Sequence, residues 1–166
     1  MTRKERVGLV VDASYLYNAK TILGGNIDYG ALRQVMSEKF GAITEAVVQC
    51  KDIPGQRSFF SALHAFGYGY KKMRDINVAG WLTSMAEIIM SVANRVDRLI
   101  VAVGDDRMAP ILEFVENAIE CDITLVGFAD KTEKELLAFA GNEFVEIDAS
   151  CQYVPAARKN QDSVSM

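Results

Sequence analysis

Three carboxylates that follow apolar runs are the residues best placed to do chemistry in this chain. Val7-Gly-Leu-Val-Val-Asp12 ends a short hydrophobic stretch in an acid, and Leu99-Ile-Val-Ala-Val103 runs on into Gly104-Asp105-Asp106. If both stretches are parallel strands, these acids stand at the carboxyl ends, where open α/β sheets bind ligands at the point where the strand order reverses. Two carboxylates brought together repel, so such a pair requires a cation between them or a proton on one of them. The expected chemistry is metal binding, with Asp12 and Asp105 as ligands and Asp12, Asp105 and Asp106 as candidate catalytic acids. A structural assignment competes with it, since Asp12 and Asp106 can also cap the helices that follow them.

The remaining reactive residues narrow the choice of ion. His64 is the single histidine, and it lies among Phe60, Leu63 and Phe66, which suits a surface or packing role better than catalysis. Cys50, Cys121 and Cys151 are widely scattered with no Cys-x-x-Cys pair, which argues for reduced, buried thiols in a cytoplasmic protein. Any metal is therefore held by carboxylates, which selects a hard ion such as Mg²⁺ or Mn²⁺, weakly bound. No organic cofactor is expected, because no G-x-G-x-x-G follows the first strand. Asp12 is preceded by Val10-Val11 rather than by a second acid, so a phosphoreceiver site is also unsupported.

These acids need a scaffold, and the pattern of the chain supplies one. Half of the 166 residues are hydrophobic and 24% are charged, enough apolar content for one packed core and too much for a disordered chain. Short apolar runs alternate with segments of helical period, the signature of βαβ units. Strands are expected at 7–12, 46–50, 68–73, 99–103, 123–126 and 144–147, with helices at 14–23, 28–40, 56–66, 81–94, 108–119 and 132–139. The fold class is α/β, a doubly wound three-layer α/β/α sandwich on a mostly parallel sheet of five to six strands. One domain is expected over residues 1–148, followed by a polar, flexible tail over 149–166. No apolar run approaches the ~20 residues that span a bilayer, and the polar start Met-Thr-Arg-Lys-Glu-Arg is unlike a secretory signal.

Four segments in register resemble one family. Val11-Asp12-Ala13-Ser14-Tyr15-Leu16-Tyr17 is similar to the "D-G-S-N-L-Y" opening of the NYN domains, PIN-like ribonucleases that include the LabA-like proteins. Ile27-Asp28-Tyr29-Gly30-Ala31-Leu32 resembles their "I-D-Y-x-x-L" helix start. Val103-Gly104-Asp105-Asp106-Arg107-Met108-Ala109-Pro110-Ile111 resembles their "S-G-D-S-D-F-x-P-L" turn, and Ala140-Gly141-Asn142-Glu143-Phe144 their late "A-A-D-x-F". The resemblance implies a PIN-like fold and metal-dependent cleavage of RNA by clustered acids. Asp12 and Asp105 match family acids. The second acid of the turn falls on Arg107, the late acid on Asn142, and an acid expected near the start of the fourth helix falls on or beside Gly80.

An arginine in place of an acid repels metal and attracts phosphate. The expectation is a protein that binds RNA and whose metal-dependent ribonuclease site is impaired or lost. The alternatives are an active Mg²⁺- or Mn²⁺-dependent endoribonuclease using Asp12 and Asp105, and a protein-interaction module built on the D-x-S start Asp12-Ala13-Ser14, whose fifth position is Leu16 rather than serine. Candidate contacts to single-stranded RNA are Ser14, Tyr15, Arg57, Lys71, Lys72, Arg74, Trp81 and Arg107, with aromatic rings to stack on bases and cations to meet phosphates. Tyr17, at helical spacing, is expected in the core. A protein partner or a second copy of the chain is also allowed, and no membrane is.

Overall fold

Strands that are covered by helices on both faces must be apolar throughout, and two such strands form the middle of this protein. In the structure, a computed structural model that describes residues 5–74 and 76–152, β1 (Val7–Asp12) and β4 (Arg98–Ala102) pair in parallel. Every residue from Val7 to Val11 is buried, as are Leu99 to Val103. Outward from β1 lie β2 (Ile43–Lys51) and β3 (Gly69–Met73); outward from β4 lie β5 (Asp122–Gly127) and β6 (Phe144–Glu146). All pairings are parallel, and the order is β3-β2-β1-β4-β5-β6. The winding reverses between β1 and β4, as the placement of Asp12 and Asp105 requires.

The helices divide between the two faces. α1 (Ala13–Ala19), α2 (Tyr29–Phe40) and α3 (Arg57–Ala65) contribute Leu16, Leu32, Met36, Phe60 and Leu63 to a core that includes Leu9, Val11 and Phe128. α4 (Val78–Ala93), α5 (Ala109–Phe114) and α6 (Lys134–Ala140) cover the other face, where Met85, Ile89, Leu112 and Leu136 pack against Val10 and Val101. The expected three-layer sandwich is thus what the chain forms. Local sequence sets the boundaries. Asp28 caps α2 by accepting from the Ala31 N–H at 3.0 Å, and Asn77 caps α4 by accepting from the Gly80 N–H at 2.8 Å.

Some expectations change. α1 is shorter than the expected 14–23 helix, a 3₁₀ turn takes over at Lys20–Ile22, and Ile22 is exposed rather than buried. Phe66 also lies at the surface, against Gly30, where a Cβ would stand 2.8 Å from its ring. The domain continues past residue 148: Cys151 is buried, its carbonyl accepts from the Asp28 N–H at 2.6 Å, and Gln152 forms a bridge with Ile27. The rest of the expected tail, 153–166, lies outside the described residues. Among the described residues no helix is long and apolar enough to cross a membrane.

Candidate functional site

Alternation along β1 fixes where the first acid points. Leu9 and Val11 face the α1–α3 layer and Val10 faces the α4–α6 layer, so Asp12 is directed toward α4. There its Oδ2 accepts from the Trp81 indole N–H at 3.1 Å, while Oδ1 accepts from the backbone N–H of Ser14 at 3.0 Å and of Tyr15 at 3.4 Å. Burial raises the Asp12 carboxyl above the usual aspartate range, the hydrogen bonds from Trp81, Tyr15 and Ser14 oppose that shift, and the charge of Asp105 adds a smaller upward push. Both acids thus stand at the reversal point, with the charge of Asp105 a minor influence on Asp12.

Asp105 is occupied differently. Its Oδ1 accepts from Arg107 Nε at 2.9 Å and from the Arg107 backbone N–H at 2.9 Å, and its Oδ2 accepts from Arg107 Nη2 at 2.6 Å. This two-pronged guanidinium–carboxylate pair holds the Asp105 carboxyl below its usual range. Asp106 is turned toward α6, where Oδ1 accepts from the N–H groups of Glu135 at 3.1 Å and Leu136 at 3.4 Å. A side-chain hydrogen bond with Asp106 raises the carboxyl of Glu133.

These contacts decide whether a divalent ion fits. Mg²⁺ requires near-octahedral oxygen donors with free lone pairs. Oδ2 of each aspartate accepts a single hydrogen bond and keeps a lone pair, but the guanidinium of Arg107 lies against both oxygens of Asp105 and opposes a cation there. Among the described residues no group of three or more His, Cys, Asp or Glu side chains could hold a metal. With the guanidinium on Asp105, the notch brings together two carboxylates rather than a cluster of three acidic ligands.

The other expected contacts separate into three places. Ser14 is half-buried at the start of α1, and Trp81 is half-buried beside Asp12. Lys71 and Lys72 are adjacent in β3 and so point to opposite faces: Lys71 toward α4, 3.8 Å from Glu87, and Lys72 toward α3, 4.2 Å from the centre of the Phe60 ring. Arg57 opens α3 on the same side as Lys72, and Arg74 pairs with Asp52. The pleat of β3 therefore puts Lys71 and Lys72, both expected to contact RNA, on opposite faces of the sheet.

Tyr15 and Tyr17 exchange their expected places. Tyr15 is buried, and its ring lies across the chain at Gly104 and Gly127; a Cβ on Gly104 would stand 2.5 Å from Tyr15 Cδ1. The Phe128 N–H donates to its hydroxyl at 2.8 Å, and that hydroxyl shares a 2.6 Å hydrogen bond with Thr132 Oγ1. Tyr15 ties α1 to the chain that follows β5, which withdraws it from any stacking role. Tyr17, expected in the core, is 64% exposed.

Gln49 escaped the sequence reading. It is paired with Asp12 in register and fully buried, its Nε2 donates to the Trp81 carbonyl at 3.0 Å, and its Oε1 has no partner among the described residues. The signal was available: an amide side chain inside the apolar run Ala46-Val-Val-Gln-Cys50.

Residues 6–148 match the NYN domain family model. A crystal structure of a protein of unknown function from Vibrio parahaemolyticus superimposes with a TM-score of 0.77 at 23% identity, covering 92% of this chain and 100% of that one. At this identity the likeness concerns the fold. No curated protein matches the sequence.

Proposed function

This chain belongs to the NYN domain family, and from that premise we propose that it binds single-stranded RNA at the head of the sheet and hydrolyses it slowly or not at all. The family places the chain in a nuclease-like, RNA-processing superfamily. The observation that carries the finer reading is the Arg107 fork on Asp105, with contacts of 2.9 and 2.6 Å. A fixed positive charge there opposes a metal ion and favours a phosphate. Arg107 is largely exposed, at 62% of its side chain, so it can meet an incoming backbone phosphate. Trp81 supplies a half-exposed ring beside Asp12, and Lys71 a cation on the same face of the sheet.

Asp12 and Asp105 then act on the protein rather than on a metal. Asp12 holds the first turn of α1 and the Trp81 indole in place. Asp105 caps the turn Asp106–Met108 and orients the guanidinium toward solvent and ligand.

The test is a 5′-labelled single-stranded RNA incubated with the protein and Mn²⁺ or Mg²⁺, with binding read by a gel shift and cleavage on a denaturing gel. Bound, uncut RNA is expected. Cleavage that disappears in Asp105→Asn would instead establish an active metal-dependent endoribonuclease, and absence of RNA binding would overturn the proposal.

A further inference from the structure

At the open edge of the sheet, on the face away from Asp12, lies a cleft that the acidic site does not use. The loop after β2 and the first turns of α3 form one wall, β3 forms the other, and about 510 Å³ lies between them. That volume is in the range of small-molecule sites, roughly 300–1,000 Å³. We propose that this cleft binds a nucleoside monophosphate unit, either as a free nucleotide or as one residue of a single-stranded RNA. The inference goes beyond the reading of the acidic notch, because none of its residues belongs to that notch.

Three features select this ligand chemistry. The first is an aromatic platform: Tyr70 stacks on Phe60 at 5.1 Å between centroids and 28° between planes, and Tyr70 remains 39% exposed. A partly exposed phenol ring stacked on Phe60 suits a base, since every base has a π-face.

The second is charge. Arg57 and Lys72 both line the cleft; Lys72 Nζ lies 4.2 Å from the Phe60 centroid and 5.6 Å from that of Tyr70, which places a cation beside the platform. The acid in the lining, Asp52, is ion-paired with Arg74, so the cleft as a whole favours an anion.

The third is the start of α3. Gln56 occupies the N-cap position and makes no side-chain cap, so the first-turn N–H groups, at the positive end of the helix, are left to the space that Gln56 and Arg57 line. A purely apolar ligand would bury the two cations without partners, and an inorganic anion would leave the ring face unused. A base on Tyr70 with its phosphate toward Arg57 and the α3 start satisfies both.

The experiment is a titration of the full chain, followed by ¹H–¹⁵N spectra, with adenosine 5′-monophosphate, adenosine, inorganic phosphate and a hexa-adenylate, each repeated on Arg57→Gln and Tyr70→Ala. Both substitutions are at exposed positions, and dispersed spectra verify folding; Lys72→Gln serves as a third variant if either fails to fold. The nucleotide is expected to shift Arg57, Tyr70 and Lys72, and to bind about tenfold more tightly than adenosine, the scale of a charge-assisted phosphate contact. Arg57→Gln removes that tenfold difference, and Tyr70→Ala weakens nucleotide and nucleoside alike.

Hexa-adenylate binding at least about tenfold more tightly than the mononucleotide identifies RNA as the source of the ligand; equal affinity identifies a free nucleotide. Shifts confined to other residues, affinity unchanged in both variants, or shifts with phosphate alone would overturn the proposal. Undiminished hexa-adenylate binding in both variants overturns the cleft and leaves RNA binding at the notch. Mononucleotide binding without oligonucleotide binding does the reverse.

Discussion

Replacing Arg107 should convert a site closed to metal into one that accepts it. Taking the guanidinium as about 5 Å from a divalent ion bound on Asp105, in water-like dielectric, their repulsion is about 1.7 kcal/mol, a factor of roughly 15–20 in affinity. Arg107→Ala removes that repulsion and both guanidinium contacts to Asp105, leaving only the backbone N–H of residue 107 on Oδ1. Arg107→Asp replaces it by an attraction of the same size, so the second variant should bind Mn²⁺ roughly 200–300-fold more tightly than the starting protein. Stability should hardly change, because an ion pair with 62% and 29% of its side chains exposed is worth at most about 1 kcal/mol. Calorimetric titration with Mn²⁺ at low salt measures all three proteins, and thermal unfolding checks that each is folded. Three equal affinities would refute the reasoning, as would tight binding by the unmodified chain.

Other outcomes follow from the same contacts. Tyr15→Phe should cost about 1–3 kcal/mol in urea unfolding, because the buried Phe128 N–H loses its acceptor, while RNA affinity stays unchanged; a large loss of affinity would restore Tyr15 as a contact residue. Gly104→Ala should destabilise by about 1–3 kcal/mol, since its Cβ would meet Tyr15 Cδ1 at 2.5 Å and the Lys131 carbonyl at 2.9 Å; a neutral effect would show that the ring is free to move. The pH dependence has a definite sign. Because burial raises the folded-state carboxyl of Asp12, its contribution to stability is present below the usual aspartate range and is lost as pH rises through the raised value. Asp12→Asn removes that loss, so its unfolding free energy should gain on the unmodified chain as pH rises from the usual aspartate range; a constant gap contradicts the assignment.

Much of the architecture was legible because burial leaves a plain mark. Leu99 to Val103 could only be a central strand, and the apolar run before Asp12 put that acid at the carboxyl end of a strand, where β1 ends. The helix cap at Asp28 was likewise written in residue type and spacing. What failed was orientation. Tyr15 and Tyr17 stand two positions apart on a short helix, so they face opposite sides, and the turn straight out of β1 decided which of them faces the glycines at 104 and 127. The period-two rule already assigned Lys71 and Lys72 to different faces of β3. Capping of the following helix was foreseen correctly for Asp12; Asp106 instead accepts from the N–H groups of α6, a contact distant in sequence, and Asp105 caps the turn that follows it. The fork of Arg107 on Asp105 was not foreseen, because a rotamer two residues away leaves no pattern in sequence.

A crystal grown or soaked in millimolar Mn²⁺, with anomalous scattering recorded at the manganese edge, puts the closed-notch account to its most direct trial. The account predicts no anomalous peak beside Asp12 and Asp105, with the guanidinium of Arg107 still gripping the carboxylate. A manganese peak bridging the two aspartates, with Arg107 swung out to solvent, would contradict it.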